Sequence, residues 1–137
     1  MKETPELRSR IMRAVKASDT APEMAVRRCV HLMGFRFRLH RKDLPGTPDL
    51  VFPKLHKVIF VHGCFWHGHG CARGARAPKT NADYWRAKIT RNRLRDVAAL
   101  AELRDNGWDT AVVWECELAD MMTLEKRLRA FLRNSDT

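Results

Sequence analysis

The stretch His62-Gly-Cys-Phe-Trp-His-Gly-His-Gly-Cys71 constrains the fold of this chain more than any other feature. Its ten residues include three histidines, two cysteines and three glycines. The residues before it, Lys57-Val-Ile-Phe-Val61, have the length and the β-branched content of a buried strand. The pattern therefore predicts a strand that runs out into a loop rich in metal-binding side chains. A loop with so many glycines needs a cross-link to hold one shape, and a metal ion is the cross-link that these side chains favour.

The rest of the chain alternates between helical and extended patterns. A capping-box spacing at Thr20-Ala-Pro-Glu23 begins a helix that ends at Gly34. Helix 83–105 is expected to carry Trp85, Ile89, Val97, Leu100 and Leu103 on its apolar half. The remaining expected elements are a basic N-terminal helix at 4–17, strands at 35–39, 49–52, 57–61 and 110–115, and a helix at 123–133.

This order predicts an α/β fold, in which a mixed sheet is flanked by helices within one domain spanning 1–137. Residues 1–17 hold the basic helix, and residues 133–137 form a flexible tail. The crossover through helix 83–105 should place strand 110–115 parallel to its neighbour in the sheet.

The charge balance favours a polyanionic partner. The 137 residues include 26 Lys and Arg against 16 Asp and Glu, a formal charge of +10. Nucleic acid is the first candidate and an anionic membrane the second, while a basic surface without any partner is the plain alternative. No apolar run approaches the length of a membrane span and no signal peptide is visible, so we expect an intracellular, cytoplasmic chain. Cysteines in that compartment bind metal more often than they form disulfides.

Three cysteines and one histidine form the first candidate site. Cys64, His69 and Cys71 come from one loop, and Cys116 follows strand 110–115. Cys116 can supply the fourth ligand if that strand lies beside strand 57–61. Such a set predicts a closed tetrahedral zinc site of structural type. In the alternative interpretation Cys116 is only a buried thiol, as Cys29 is expected to be in its helical apolar pattern.

An acidic and histidine-based group forms the second candidate site. Pro48-Asp49 begins one strand and His62 ends the next, as in nucleases of the PD-(D/E)xK type, with Phe60-Val61-His62 in place of Glu-x-Lys. Asp49 is suited to bind Mg²⁺, and a neutral His62 or His67 could take a proton from water. Asp49 could instead be a turn or cap residue.

Three further interpretations have plain alternatives. Glu23 stands at the third helical position and could be a capping residue alone. Phe65 and Trp66 could be core residues, or they could insert between bases from a polar loop. Trp85, at the start of the basic helix, admits the same two interpretations.

Several segments together resemble the very-short-patch repair (Vsr) family of DNA mismatch endonucleases. They occur in family order and cover nearly the whole chain to about residue 133. They are Ser9-Arg-Ile-Met-Arg-Ala14, Thr20-Ala-Pro-Glu23, Leu44-Pro-Gly-Thr-Pro-Asp49, Phe60-Val-His-Gly-Cys-Phe-Trp-His67, His69-Gly-Cys71, Trp85-Arg-Ala-Lys-Ile89 with Asn92, and Gly107-Trp108 through Val113-Trp-Glu-Cys116.

The resemblance implies a restriction-endonuclease-like core and a Mg²⁺-dependent nick 5′ to the thymine of a T·G mismatch in double-stranded DNA. By position, Asp49 and the carbonyl of Val61 would bind Mg²⁺. His67 would be the base, oriented by Glu23 and assisted by His62. The same likeness assigns Cys64, His69, Cys71 and Cys116 to structural Zn²⁺, the intercalating wedge to Phe65, Trp66 and Trp85, and contacts with the mismatch to Lys88 and Asn92.

The chain departs from the family pattern at a few positions. Val61 stands where threonine is common, Gly68 and Gly70 replace histidines, and the loop at 72–80 differs in composition. A related nuclease with another DNA target, or a zinc-stabilised DNA-binding module without catalysis, are therefore the competing hypotheses. Nothing in the sequence requires a dimer, so a monomer is expected, and repair proteins are possible partners.

Overall fold

A computed structural model describes residues 20–64, 69 and 81–133. Three helices lie in these ranges: α1 (Ala21–Leu32), α2 (Ala82–Asp105) and α3 (Met121–Arg133). Four strands accompany them, namely β1 (Arg38–Leu39), β2 (Leu50–Phe52), β3 (Lys57–His62) and β4 (Asp109–Trp114). A short 3-10 helix, Glu115–Ala119, follows β4 directly.

The four strands form one mixed sheet in the order β1-β2-β3-β4. β2 runs antiparallel to both β1 and β3, and β4 runs parallel to β3. The predicted mixed sheet and the parallel pairing through the long helix are therefore confirmed. The register pairs Val61 with Val113 and His62 with Trp114, so β3 and β4 end side by side.

Successive strand residues face opposite sides of the sheet, and each side has its own core. On one side, Leu50, Phe52 and Ile59 pack against α1 and α3 through a buried cluster that also contains Val26, Val30, Ala111, Val113, Leu124, Leu128 and Leu132. On the other side, Val51, Val58 and Phe60 pack with Leu103 of α2. Two helices thus cover one face and the long helix lies on the other.

A buried lysine joins the last helix to the sheet. Lys57 is only 4% exposed, and its ammonium group donates to the main-chain carbonyl of Phe131. Cations near the last carbonyls of a helix are favourable, and a buried ammonium requires such a partner. The contact therefore stabilises the packing of α3 against β3.

The helix from Thr20 forms as its sequence predicts. The Thr20 hydroxyl accepts from the Glu23 N–H at 3.4 Å, a proline lies in the first turn, and Gly34 follows the helix with φ +88°. Glycine adopts such a φ without steric cost, which is why the helix stops there.

Two expectations about the elements are wrong. The strand expected at 35–39 is reduced to Arg38–Leu39. Val97 does not belong to the apolar half of α2, because its side chain is 66% exposed. At 3.6 residues per turn, Val97 lies well over a quarter-turn from Leu103, the one buried residue among the described residues of α2. Leu94 and Val97 instead form an exposed apolar strip on the outer side.

The expected N-terminal helix and most of the terminal tail lie outside the described residues. Within the described ranges, no helix combines the length and the apolar character that crossing a membrane requires.

Candidate active site and metal centre

The candidate residues gather at one end of the sheet because of the strand directions. β2 begins where β1 and β3 end, since it is antiparallel to both, and β4 ends beside β3 because the two are parallel. This places the residue after β1, the residue before β2 and the residues after β3 and β4 at the same end. His40, Asp49, Cys64 and Cys116 occupy these positions.

One group at this end consists of Glu23, His40 and Asp49. One ligand atom from each of the three lies within 4.8 Å of the other two. Glu23 comes from the first turn of α1 and is 3% exposed. Its carboxylate oxygen Oε2 is bound by His40 Nε2 at 2.8 Å and by the guanidinium of Arg27. The main chain of Glu23 thus takes part in the helix cap, and its side chain belongs to this group.

Asp49 anchors the group to the sheet. The Val61 N–H donates to Asp49 Oδ2 at 2.7 Å, so Asp49 is tied to β3. Burial raises the pKa of Asp49 from its usual value to about 7; the hydrogen bond from Val61 lowers it, and the neighbouring Glu23 carboxylate raises it further. A carboxyl group held at such a cost is typical of a functional site. A cation bound between the Glu23 and Asp49 carboxylates would offset this cost, because it favours their charged forms.

His40 is the member of this group that the sequence interpretation missed. The signal was present in the chain, because β1 and β2 form a hairpin around the turn at 44–48. Leu39 pairs with Leu50, so the next pair along the hairpin is His40 with Asp49, and the His40 N–H donates to the Asp49 carbonyl at 3.2 Å. Recognising His40 would have required the hairpin register before the structure was known.

Cys64, His69 and Cys116 form a second group. Their ligand atoms also lie within 4.8 Å of one another. The Cys116 N–H donates to Cys64 Sγ at 3.3 Å, and Cys116 Sγ lies 3.6 Å from His69 Nδ1. The ring of His69 stacks on Trp114 at 4.2 Å with an angle of 13° between the planes. Three of the four expected zinc ligands therefore meet where β3 and β4 end.

The separation between these donors suits zinc. A Zn–S bond of about 2.3 Å and a Zn–N bond of about 2.0–2.1 Å at the tetrahedral angle place sulfur and nitrogen about 3.6 Å apart. Cys116 Sγ and His69 Nδ1 are separated by that distance. A main-chain N–H directed at Cys64 Sγ also suits a thiolate, which gains from a hydrogen-bond donor. The three described donors thus fit three positions of a tetrahedral zinc centre.

His62 is the last residue of β3 and lies on the face of that strand that packs toward α2. Its ring is 5.6 Å from the Phe60 ring and 5.2 Å from the Trp114 ring, and Nδ1 lies 3.9 Å from Asp96 Oδ2. The residue is 6% exposed. Asp96, on α2, is a second residue that the sequence interpretation did not single out. The expectation that His62 acts at the same centre as Asp49 stays a prediction.

Three of the residues expected to contact nucleic acid lie along α2. Trp85, Lys88 and Asn92 fall on the same side of the helix as Asp96, given 3.6 residues per turn. Lys88 Nζ lies 5.9 Å from the centres of both the Tyr84 and Trp85 rings, and Trp85 is half-buried. This side of the helix carries an aromatic ring, a cation and an amide, and it continues toward the end of β3.

The remaining expected site residues, Phe65, Trp66, His67 and Cys71, lie outside the described residues. The described ranges place their neighbours Cys64 and His69 at the end of β3, where both belong to the second group.

The fold and the two groups define an α/β protein with paired acids and a Cys/His centre at one end of a mixed sheet. The family model described as "DNA mismatch endonuclease Vsr" matches residues 2–73.

Three relatives extend the likeness beyond that segment. The type II nicking enzyme V.XorIIP of Xanthomonas oryzae pv. oryzae is 57% identical over 94% of this chain and 94% of its own. The type II nicking enzyme V.NmeAIP of Neisseria meningitidis serogroup A is 42% identical over 95% of this chain and 92% of its own. The DNA mismatch endonuclease Vsr of Escherichia coli is 40% identical over 81% of this chain and 70% of its own. This chain therefore belongs to the Vsr family of DNA mismatch endonucleases.

Proposed function

We propose that this protein is a Mg²⁺-dependent endonuclease that nicks one strand of double-stranded DNA, 5′ to the thymine of a T·G mismatch. The observation that carries the proposal is the pair of the buried Glu23 and the partly buried Asp49, which meet beside Val61 at the end of the sheet. Membership of the Vsr family supports a hydrolytic site here, with Asp49 as its metal-binding carboxylate and Glu23 as the residue that orients the base. Asp49 belongs to the Pro48-Asp49 motif expected for a core of the PD-(D/E)xK type.

The acidic group serves to bind a hard cation. Asp49 and the main-chain carbonyl of Val61 would hold Mg²⁺, which would neutralise charge on the scissile phosphate when bound. The raised pKa of Asp49 supports this assignment, because a nearby cation favours the charged carboxylate that burial disfavours.

Proton transfer is assigned to the histidines. His67 takes the proton of the attacking water, because an imidazole has a pKa near the working pH. Glu23 orients His67, and His62 assists at the phosphate. The contact of His62 with Asp96 supports this role, since a carboxylate near one ring nitrogen favours a fixed ring orientation.

Recognition of DNA combines charge with insertion. The excess of Lys and Arg supplies affinity that depends on salt rather than on sequence, and the basic segment 1–17 adds to it. Phe65, Trp66 and Trp85 form a wedge between base steps, while Lys88 and Asn92 contact the mismatched pair. Unstacking costs a few kcal/mol and least at a mismatch, so the wedge selects damaged sites.

Zinc has a structural part in this proposal. Cys64, His69, Cys71 and Cys116 hold the ion, which rigidifies the loop between them. That loop carries Phe65, Trp66 and His67, so one centre fixes the wedge and the base together. One active site suffices for one nick, so we propose that the protein acts as a monomer. It would act on nucleoid DNA in the cytoplasm, and repair proteins would then process the nicked DNA.

The test uses end-labelled duplexes that differ only at one pair, which is T·G, T·A or C·G. Each strand is followed separately during incubation with the protein and Mg²⁺. We expect one nick 5′ to the mismatched thymine, abolished by EDTA and by Asp49→Asn, with DNA affinity kept in the variant. Asp49→Asn preserves the size and planar shape of the side chain, while it removes the negative charge and replaces one acceptor oxygen with an NH2 group.

Other outcomes assign the protein differently. Equal cutting of the three duplexes would make it a nuclease with another target. Tight binding without any cutting, across a panel of flanking sequences, would make it a DNA-binding module.

A further inference from the structure

His40 connects the two acids of the candidate active site. Its N–H donates to the main-chain carbonyl of Asp49 at 3.2 Å, and its ring nitrogen Nε2 lies 2.8 Å from Glu23 Oε2. Asp49 belongs to the sheet and Glu23 belongs to α1. One residue therefore contacts both, through its main chain on one side and its ring on the other.

The conformation of His40 permits this double contact. Its φ is +48°, in the left-handed region that non-glycine residues rarely adopt. Histidine is among the residue types enriched there, and such outliers cluster where the surrounding structure requires them. The outlier at His40 falls directly after β1, opposite Asp49, where an extended residue would continue the strand.

Arg27 binds the same oxygen of Glu23, but this contact cannot fix the position of Glu23 relative to Asp49. Glu23 and Arg27 stand four residues apart on α1, so their ion pair moves with the helix. It does not determine how far Glu23 lies from Asp49. The contact with His40 comes from the sheet side, as does the side-chain hydrogen bond between Glu23 and Asp49. His40 adds a second anchor, bound through its main chain to the Asp49 carbonyl, that holds the acid of the helix against the acid of the sheet.

We propose that His40 is a positioning residue that holds Glu23 at its working distance from Asp49. The inference rests on the proposed function, in which Asp49 binds the cation and Glu23 orients the base. An imidazole suits the task because it has two side-chain torsions and a rigid ring, so it loses little freedom when it binds. Neighbours of this kind change activity about 10- to 100-fold when they are removed.

The test compares His40→Ala, His40→Gln and the control His31→Ala under single-turnover and steady-state conditions on the T·G duplex. His31 is an exposed histidine in the last turn of α1. We expect His40→Ala to lower kcat about 10- to 100-fold with KM within about threefold of wild type. His40→Gln should recover most of the loss, since its amide can donate to Glu23. His31→Ala should match wild type.

Two kinetic outcomes would overturn the proposal. Wild-type kcat in His40→Ala would show that Glu23 needs no support from the sheet. A loss that His40→Gln does not recover, together with weaker Mn²⁺ binding measured by calorimetry, would make His40 a metal ligand instead.

A spectroscopic measurement separates this inference from the proposed function. The ring nitrogens of His40 are followed by long-range ¹⁵N–¹H correlation in wild type and in Glu23→Ala. A shift of the His40 Nε2 signal on removal of Glu23 supports the contact whether or not the protein cuts DNA. An unchanged signal refutes it. If wild type nicks none of the duplexes, the proposed function fails, and the spectrum still decides the role of His40.

Discussion

The two groups at the end of the sheet are built in opposite ways. The group of Cys64, His69 and Cys116 uses donors that lie at the ends of two adjacent parallel strands, with two of them in a single loop. The group of Glu23, His40 and Asp49 draws one side chain each from α1, the end of β1 and the start of β2. The first group depends on the pairing of two neighbouring strands and on the loop that follows one of them. The second depends on how a helix and a hairpin pack together.

The groups also differ in the chemistry that burial imposes. Cys64 is fully buried and its sulfur accepts an N–H, so a metal ion is a natural complement to the thiolate. Glu23 is buried and Asp49 is partly buried beside it, and the partial burial of Asp49, together with the nearby Glu23 carboxylate, raises the pKa of Asp49 to about 7. The cysteine group should therefore stabilise the fold when it holds a metal ion, whereas the acidic group lowers the stability of the fold until a cation binds.

The largest effect should come from breaking the cysteine group. Cys116→Ser removes a proposed zinc ligand just after β4, and we expect the bound zinc to fall from one ion per chain to nearly none. The unfolding free energy should fall by several kcal/mol, because structural zinc contributes directly to folding. Metal content by mass spectrometry and thermal unfolding measure the two quantities.

Cys29→Ser is the matched control for that variant. Burial raises the pKa of the Cys29 thiol, so this cysteine stays protonated, unlike a metal ligand. We expect Cys29→Ser to keep its zinc and to lose only about 1 kcal/mol. Equal zinc content in Cys116→Ser and wild type would remove Cys116 from the centre.

A smaller effect of the opposite sign should come from Asp49→Asn. The folded pKa of Asp49 is raised above its unfolded value, so the charged form is penalised in the folded state. That cost is absent near pH 4, grows as the pH rises toward 7 and is constant above it. Without metal, the variant should therefore be more stable than wild type by about 1–3 kcal/mol at pH 8, and no more stable near pH 4.

Added Mg²⁺ should reverse this ranking. The cation favours the charged form of Asp49, so it should raise the Tm of wild type and leave that of Asp49→Asn unchanged. Denaturant unfolding at pH 4, 6 and 8 with and without Mg²⁺ makes the measurement. If Asp49→Asn is less stable than wild type at every pH, the charged Asp49 carboxylate does not destabilise the folded state, and the expectation is wrong.

An effect of similar size, confined to stability and positioning, concerns the turn that leads into Asp49. A Cβ at Gly46 would lie 2.8 Å from Ala99 Cβ and 3.1 Å from Phe60 Cε1, and its φ is +74°. Gly46→Ala should therefore cost about 1–3 kcal/mol and displace the turn, which also lowers nicking activity.

Gly46→Ala combines an unfavourable positive φ with close contacts of the added Cβ, and Gly107→Ala separates these two causes. Gly107 has φ +85°, but among the described residues no atom lies within 4 Å of an added Cβ. Gly107→Ala should lose only about 1 kcal/mol, with activity unchanged. Chemical denaturation measures the unfolding free energy of both variants. The loss in Gly46→Ala beyond that in Gly107→Ala is the part caused by the close contacts, including the one with Ala99 of α2. Equal losses would mean that the turn does not depend on α2 for its position.

Much of the cysteine group was predictable from the sequence. The β-branched run before His62 and the run that ends at Trp114 both read as buried strands, and a crossover helix between them favours parallel neighbours. Once the two strands pair, Cys64 and Cys116 must lie at the same end. The helix that starts at Thr20 was equally legible, because its cap and its final glycine are local signals.

The acidic group was predictable only in part. The position of Asp49 before a strand indicates a site residue, and the family resemblance indicates Glu23. No local sequence pattern indicates His40. Its importance comes from the register of a hairpin whose first strand has only two residues. The side of α2 on which Val97 lies was also misjudged, since periodicity alone left two sides of that helix open.

The sequence by itself determined the element order, the mixed sheet and the ligand types at its end, because capping, β-branching and spacing act over a few neighbouring residues. The tertiary structure alone decided which groups surround Glu23 and how strongly Asp49 is perturbed. Those properties depend on the packing of α1 against the β1–β2 hairpin, where residues far apart in the chain meet and exclude water. Burial of that kind raises the pKa of a carboxyl group, and no local pattern encodes it.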